Sequence, residues 1–487
     1  MIGFLLLTVT GVSGQTPQAT PPNPSEPRSV QIPKPIEKTL ANGLRVIVIE
    51  RSRSPLVSAE VLIKNGAEVD PPQLPGLADM TASLLTKGTK KRDATQIAEA
   101  IEALGGSLET GARWDASTAT TGVMSSNISP ALDILADVVR YPAFTDEEIE
   151  RLRQQSIDSL NVDLGEPGTI ARFAGARVVF GDSPYGHPLS GTPESIAQIK
   201  RADIIRLHEL YYRPDNAILV IGGDIKASDA FALAQKYFGD WVKPTPTFRP
   251  FVFGTRVSDA TNRRVVVIDK PDAEQAAVFL ARTAISRADG DYYKGIVANS
   301  VLNGYSGRLN QEIRIKRGLS YGAGSALDAR RSVGPFVASA QTKNQSASQV
   351  VDLLIGEVER LGSTPVSEAE LQPRKAVLTG TFARDLEEVT GLVGRVAALA
   401  LQDLSLDEIN HYINHVQSVT AADVLKFAGT QLDIKGANVI VVGNAKEFLA
   451  ELQKKFSVVE VIPIAELDLN RRSLRKTASP AAKIKAP

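Results

Sequence analysis

The sequence predicts an α+β protein built from two related domains, and three observations carry that prediction. RADIIRLHELYYRPDNAILVIGGD at residues 201–224 is echoed by AADVLKFAGTQLDIKGANVIVVGN at residues 421–444, an offset of about 220 residues. Each copy reads as a helix, a turn and an apolar strand, followed by a further helix closing on an aromatic, AFALAQKYF at 230–238 and EFLAELQKKF at 447–456. Between the copies lies the Pro-containing stretch KPTPTFRP at 243–250, a natural junction. Repeated order at so long an offset argues for a duplicated domain rather than a short-repeat solenoid.

Strand-like and helix-like blocks alternate through the first copy. LRVIVIE at 44–50, entered through an Asn42-Gly43 turn, and VSAEVLI at 57–63 have the apolar, β-branched character of buried strands. ATQIAEAIEAL at 94–104 is amphipathic and ends at Gly105-Gly106, which predicts a helix. Residues 107–109 and 117–123 are the next expected strands, and 130–141 and 146–160 the next helices.

Composition narrows the function classes. The chain has 487 residues, 43% hydrophobic and 23% charged, enough for sizeable cores in a protein of ordinary surface charge. Lys+Arg and Asp+Glu both number 55, so the balance gives no reason to expect nucleic acid or an anionic membrane as partner. Cysteine is absent, which excludes disulfides, thiol nucleophiles and Cys-based metal sites. The start, MIGFLLLTVTGVSGQTPQ, lacks a positive n-region. It otherwise reads as a short secretory signal over 1–14, too short to span a bilayer, which predicts a periplasmic or secreted protein. Residues 15–35 read as a Pro-rich disordered tether and 471–487 as a basic disordered tail. That leaves an N-terminal domain over 36–242, a linker over 243–255 and a C-terminal domain over 256–470.

One short helix carries the central question. In GLADMTASLLTKGT (76–89), Leu77, Met80, Leu84 and Leu85 form one buried stripe, while Asp79, Ala82 and Ser83 lie on another face. Asp79 and Ser83 are four residues apart, the spacing at which a metal-binding helix carries two His around a Glu. Here that face offers a carboxylate, a methyl and a hydroxyl.

The segment resembles the pitrilysin, insulinase and mitochondrial processing peptidase family, whose active half carries a stretch similar to GLAHFLEHMLFKGT. Placed in that frame, the inverted zinc motif H-x-x-E-H falls on Asp79, Ala82 and Ser83, and none matches. The family's third ligand is a downstream Glu, but LRQQSIDSLNVDLG at 152–165 has Asp158 and Asp163 and no Glu. A second segment, VLNGYSGRLNQEIRIKRGLSYGAGS at 301–325, is similar to the family's C-terminal signature: a Gly-containing loop, S-x-R-L, and an Arg-bearing helix ending in R-G-L-x-Y. VVVIDKPDAEQAAV at 265–278, with Gln275, also resembles the opening of the family's second half. The likeness runs from about residue 36 to 468.

The resemblance implies two homologous domains, each a mainly antiparallel sheet packed with helices, forming half of a clam-like peptidase chamber. It gives Arg314 and Tyr321 as the pair that hydrogen-bonds the substrate backbone near the scissile bond, and the loop of Asn303, Gly304 and Gly307 as part of substrate handling. A guanidinium and a phenol are suitable donors to the negative charge that develops on a cleaved peptide's carbonyl oxygen. Without the resemblance, Arg314 would be a solvated helix residue and Tyr321 a packing residue at a strand edge. In the family's heterodimeric branch one chain bears zinc and its partner bears the Arg/Tyr pair. The expected function is therefore the non-zinc, substrate-binding subunit of such a peptidase. No metal or cofactor is expected in this chain, and the expected partners are a homologous H-x-x-E-H subunit and a peptide. The alternative is a catalytically dead peptide-binding or scaffold protein of the same fold.

Other candidates read more simply. His411 and His415 are four apart on a predicted helix, but no acid sits between them, so packing or surface roles are expected. His187 falls in YGHPLSGTPESI, which resembles a structural loop of the family and implies no catalytic role, and His208 is expected to be solvated. The NGYSG stretch lacks the Lys-Ser/Thr ending of a phosphate-cradling loop.

Overall fold

The computed structural model describes residues 31–245 and 263–476. Two six-stranded mixed sheets form its frame. The first uses β1 (Ile36–Thr39), β2 (Arg45–Glu50), β3 (Leu56–Ile63), β4 (Ser107–Ala112), β5 (Ser117–Met124) and β6 (Ala217–Gly223), in the order β1-β2-β6-β3-β5-β4. Only β2 and β6 run parallel in it. The second uses β7 (Val265–Asp269), β8 (Gln275–Thr283), β9 (Ala323–Leu327), β10 (Pro335–Lys343), β11 (Asn438–Gly443) and β12 (Glu460–Pro463), in the order β12-β7-β11-β8-β10-β9. The sequence echo holds at element level: helix Arg201–Tyr211 leads into β6 as helix Ala421–Gln431 leads into β11. The expected helices 94–104 and 146–160 are the helices Ala94–Ala103, closed by a capping box between Asp93 and Gln96, and Asp146–Asp163.

The two halves are tied by an exchange. Helix Pro167–Phe180 of the first half lies on β8 and β11, and helix Val389–Leu401 of the second lies on β3 and β6. Leu392, Val393 and Val396, none of them exposed, share a cluster with Ile47, Ile218 and Val220 of the first sheet. The approach is close at Gly222, where a Cβ would meet Val393 Cγ2 at 2.8 Å. Both sheets are therefore apolar on two faces, consistent with the near-continuous hydrophobic run of β6.

Described backbone also reaches past the expected boundaries. Ile32, at the end of the Pro-rich stretch, is buried and exchanges hydrogen bonds with Asn410 at 2.8 and 3.1 Å. Leu474 is fully buried, and Arg177 Nε donates to the Leu469 carbonyl, so the C-terminal segment returns to the first half. The expected signal, most of the linker and the last eleven positions lie outside the described residues.

Glu60 on β3 sits beneath the exchanged helix, and burial pushes its carboxyl up to about 7, with Arg113 partly opposing. A raised carboxylate stabilises the fold below the ordinary carboxylate range and loses that contribution as pH rises through about 7. Glu60→Gln is therefore expected to stabilise the chain at pH 8 and not at pH 4, as read by denaturant unfolding at both values.

Candidate functional site

The helix Leu77–Leu84 is fixed at its start by a carboxylate. Asp70 accepts the N–H groups of Gly76 and Ala78, both at 2.8 Å, and burial holds its own carboxyl well above the usual range. Gly76 needs its φ of 92°, and a Cβ there would meet Gly191 N at 2.9 Å. The expected stripe of Leu77, Met80, Leu84 and Leu85 is buried.

The other face is where a metal set would be built, and its chemistry does not fit zinc. Ala82 is wholly buried and has no donor atom. Ser83 is half-buried with a neutral hydroxyl, a poor zinc ligand. Asp79 lies beside the backbone N–H of Ala112 at the end of β4, which favours its charged form, but burial outweighs this and pushes its carboxyl up to about 6. Asp158 and Asp163 are exposed on helix Asp146–Asp163, with Asp158 Oδ1 accepting from Gln154 at 2.9 Å. Among the described residues no group of three His, Asp or Glu side chains could hold a metal ion.

The Asp79–Ala112 contact has a geometric meaning. Arg113 N–H donates to the Ala116 carbonyl, which makes Arg113 and Ala116 a hydrogen-bonded pair. By alternation Ala112, Thr110 and Leu108 turn their backbone groups to the open edge of β4. Asp79 lies beside the one at Ala112.

Beneath this helix lies a polar network that sequence reasoning did not single out. Glu68 accepts the Gly66 N–H at 2.6 Å and the Asn65 amide at 2.8 Å, with Arg331 Nη1 at 3.7 Å. Arg331 comes from the turn between β9 and β10, and its Nη2 donates to the carbonyls of Lys64 and Asp115, both at 2.9 Å. Asp115 accepts from Arg331 N–H at 2.9 Å and from the Tyr185 hydroxyl. The second half thus plugs an arginine into the floor of the degenerate helix, a long-range contact with no local sequence signature.

The second segment is pinned at its base and free at its tip. Helix Tyr292–Leu302 ends at Asn303, whose Oδ1 accepts the Ser325 N–H of β9 at 3.3 Å. Gly304 has a φ of 90°, and a Cβ on Gly307 would lie 2.3 Å from the Asn303 carbonyl oxygen. Arg308 makes a bidentate pair with Glu370 at 2.7 and 2.9 Å, Arg374 binds the Ser306 carbonyl and hydroxyl, and Asn310 Nδ2 donates to the Tyr305 carbonyl at 2.6 Å. Residues Asn310–Ile315 form a wide π-helical turn in which Lys316 N–H reaches back five residues to Gln311.

Arg314 leaves that turn with its guanidinium 5.5 Å from the Tyr305 ring centroid and no acidic partner among the described residues. Lys316 and Arg317, by contrast, both pair with Glu312. Tyr321 is 88% exposed, and Tyr305 and Ile315 stand out beside it in sequence at 71% and 47%. Tyr305 beneath Arg314 was not foreseen as a partner, although its bulk in the glycine loop was visible.

The histidines hold no site. His411 Nε2 meets Asp407 at 3.0 Å and His415 Nδ1 meets Glu408 at 3.2 Å on an exposed helix face. His187 is buried between the carbonyls of Pro188 and Ala67, each at 3.0 Å. His208 is not solvated as expected: it reaches the Val139 carbonyl at 2.8 Å and stacks on Tyr212, and burial pushes it down to about 4.

Fold and segments together define a two-domain, peptidase-like chain whose metal helix carries no metal-ligand set. Comparison with known proteins gives the same class. Residues 45–166 match the family model for insulinase (peptidase family M16), and residues 198–378 match the model for the peptidase M16 inactive domain. An uncharacterized zinc protease of Mycobacterium leprae is 26% identical over 388 residues, 79% of this chain and 86% of that one. Among solved structures, a peptidase M16 inactive domain from Pseudomonas fluorescens superposes with a TM-score of 0.78 at 24% identity, covering 84% of this chain and 98% of that one. A protease from Helicobacter pylori gives 0.80 at 21% identity, covering 84% and 99%. The chain belongs to the insulinase (M16) peptidase family.

Proposed function

We propose that this chain is the non-zinc, substrate-binding subunit of a heterodimeric zinc metallopeptidase that cleaves peptides, with Arg314 and Tyr321 presented to a zinc-bearing, H-x-x-E-H partner. The observation that carries the reading is the contrast within residues 301–325. The loop base is locked by Arg308, Arg374 and Asn310, while Arg314 has no counter-ion among the described residues and Tyr321 is almost fully exposed. A positioned cation held only over the Tyr305 ring and an almost fully exposed phenol are suited to hydrogen bonds made with something else. The zinc helix supports the same division of labour, since Asp79, Ala82 and Ser83 supply neither ligand set nor general base. Substrates are unfolded or short peptides, bound as an added strand. The expected setting is the periplasm or the cell exterior, a reading that rests on the N-terminal segment. Among the described residues no helix is long and apolar enough to cross a membrane.

The test is reconstitution. Each chain alone and an equimolar mixture with the zinc-bearing subunit are assayed on a quenched peptide. Cleavage is expected from the mixture only. Equal cleavage by the zinc-bearing chain alone would remove the complementing role and favour a scaffold.

A further inference from the structure

Where the two halves meet there is a cavity of about 560 Å³ that neither the degenerate helix nor the Arg314 segment uses. One wall is helix Pro167–Phe180 with Trp114; the other is β8, β9 and β10. Phe173, Val179, Phe180, Phe279 and Val337 make the lining predominantly apolar. A cleft of this size at a domain boundary, with few polar groups, has the character of a small-ligand site.

Its polar groups select the ligand. Arg330 lines the cavity and is 8% exposed. Its guanidinium lies 4.4 Å from the Trp114 ring centroid, 4.6 Å from Tyr185 and 5.6 Å from Phe180. Nε and Nη2 both reach Asp328 Oδ2 at 2.7 Å, which fixes the plane. Nη1 is buried and has no hydrogen-bond partner among the described residues. A buried charged donor left unpaired is costly, and an acceptor brought by a ligand would relieve it. Arg172, exposed on the same lining, adds a second cation, its guanidinium 4.5 Å from the Phe173 ring. His187 competes for neither role, because both ring nitrogens already face backbone carbonyls.

We propose that this cavity binds a carboxylate carried on an apolar body, with the acid group on Arg330 Nη1 and Arg172 and the body against the phenylalanines. Two sources offer that chemistry: a free fatty acid, and the C-terminal residue of a peptide ending in an apolar side chain. The site belongs to this chain alone and stands whether or not a zinc-bearing partner exists.

The test uses the full chain without any partner. Decanoate, 1-decanol, and a peptide ending in Leu with a free or amidated C-terminus are titrated by calorimetry, with Trp114 emission as a second readout. Saturable 1:1 binding of decanoate or of the free-acid peptide is expected, at least about ten-fold tighter than its uncharged counterpart. Whichever of the two acids binds tighter identifies the source. Ala326→Phe, which fills the cavity from an exposed position on β9, is expected to abolish binding. Arg172→Glu leaves the buried packing intact and is expected to weaken binding several-fold, so it decides the matter if the filling variant misfolds. Equal affinity for acid and uncharged forms, binding indifferent to both variants, or no binding of either acid would overturn the assignment.

Discussion

Arg314→Ala is expected to lower kcat/KM of the mixed two-chain complex by about 10²–10³-fold, which is roughly 3–4 kcal/mol of transition-state stabilisation. The guanidinium has no ion-pair partner among the described residues and rests only over the Tyr305 ring, so removing it subtracts chiefly what it donates to substrate. The loss should fall mainly on kcat, because the developing oxyanion is a better acceptor than the ground-state carbonyl. Arg314 is a half-exposed side chain, so the variant is expected to unfold at the same denaturant midpoint as the parent. Tyr321→Phe keeps the ring and removes only the hydroxyl, and a smaller loss in the same parameter is expected. An unchanged rate in Arg314→Ala would leave the exposed pair without a catalytic role.

The second large effect is on stability. Leu392→Ala, in the helix that the second half lays on the first sheet, is expected to cost about 2–5 kcal/mol. Leu392 is fully buried in a cluster drawn from both halves, so the cavity cannot be closed by movement of one domain. Because helix Pro167–Phe180 makes the reciprocal contact on β8 and β11, the halves are expected to unfold in one transition that moves to lower denaturant as a whole. Two separated transitions, with only one shifted, would show that the exchange does not couple them.

Much of this architecture is legible in the sequence wherever the signal is local. The paired helix-strand units around 201–224 and 421–444, the stripe of the degenerate helix and the Gly105-Gly106 stop after helix Ala94–Ala103 depend on neighbours within a few residues. What was not legible depends on contacts between distant segments. Nothing in PGTIARFAGARVVF or VTGLVGRVAALAL says that each covers the other half's sheet; the small residues that permit it, such as Gly222, explain themselves only once the partner is in place. Arg331 reads as one more charge in a basic turn, yet it closes a buried network 216 residues away at Asp115. The loss of the zinc ligands was visible at Asp79, Ala82 and Ser83. That Asp79 lies against the edge of β4 was not, because its place there depends on strand alternation at Ala112. Likewise the π-helical turn that sets Arg314 over Tyr305 has no periodicity to announce it.

The complementing role is tested most directly by isolating the native assembly through this chain and determining its subunit composition and zinc content. The account predicts one similar-sized chain bearing H-x-x-E-H for each copy of this one, with one zinc ion per pair. Recovery of this chain alone, or in an assembly without such a protein, would contradict it and leave Arg314 and Tyr321 as remnants on a binding or scaffold protein.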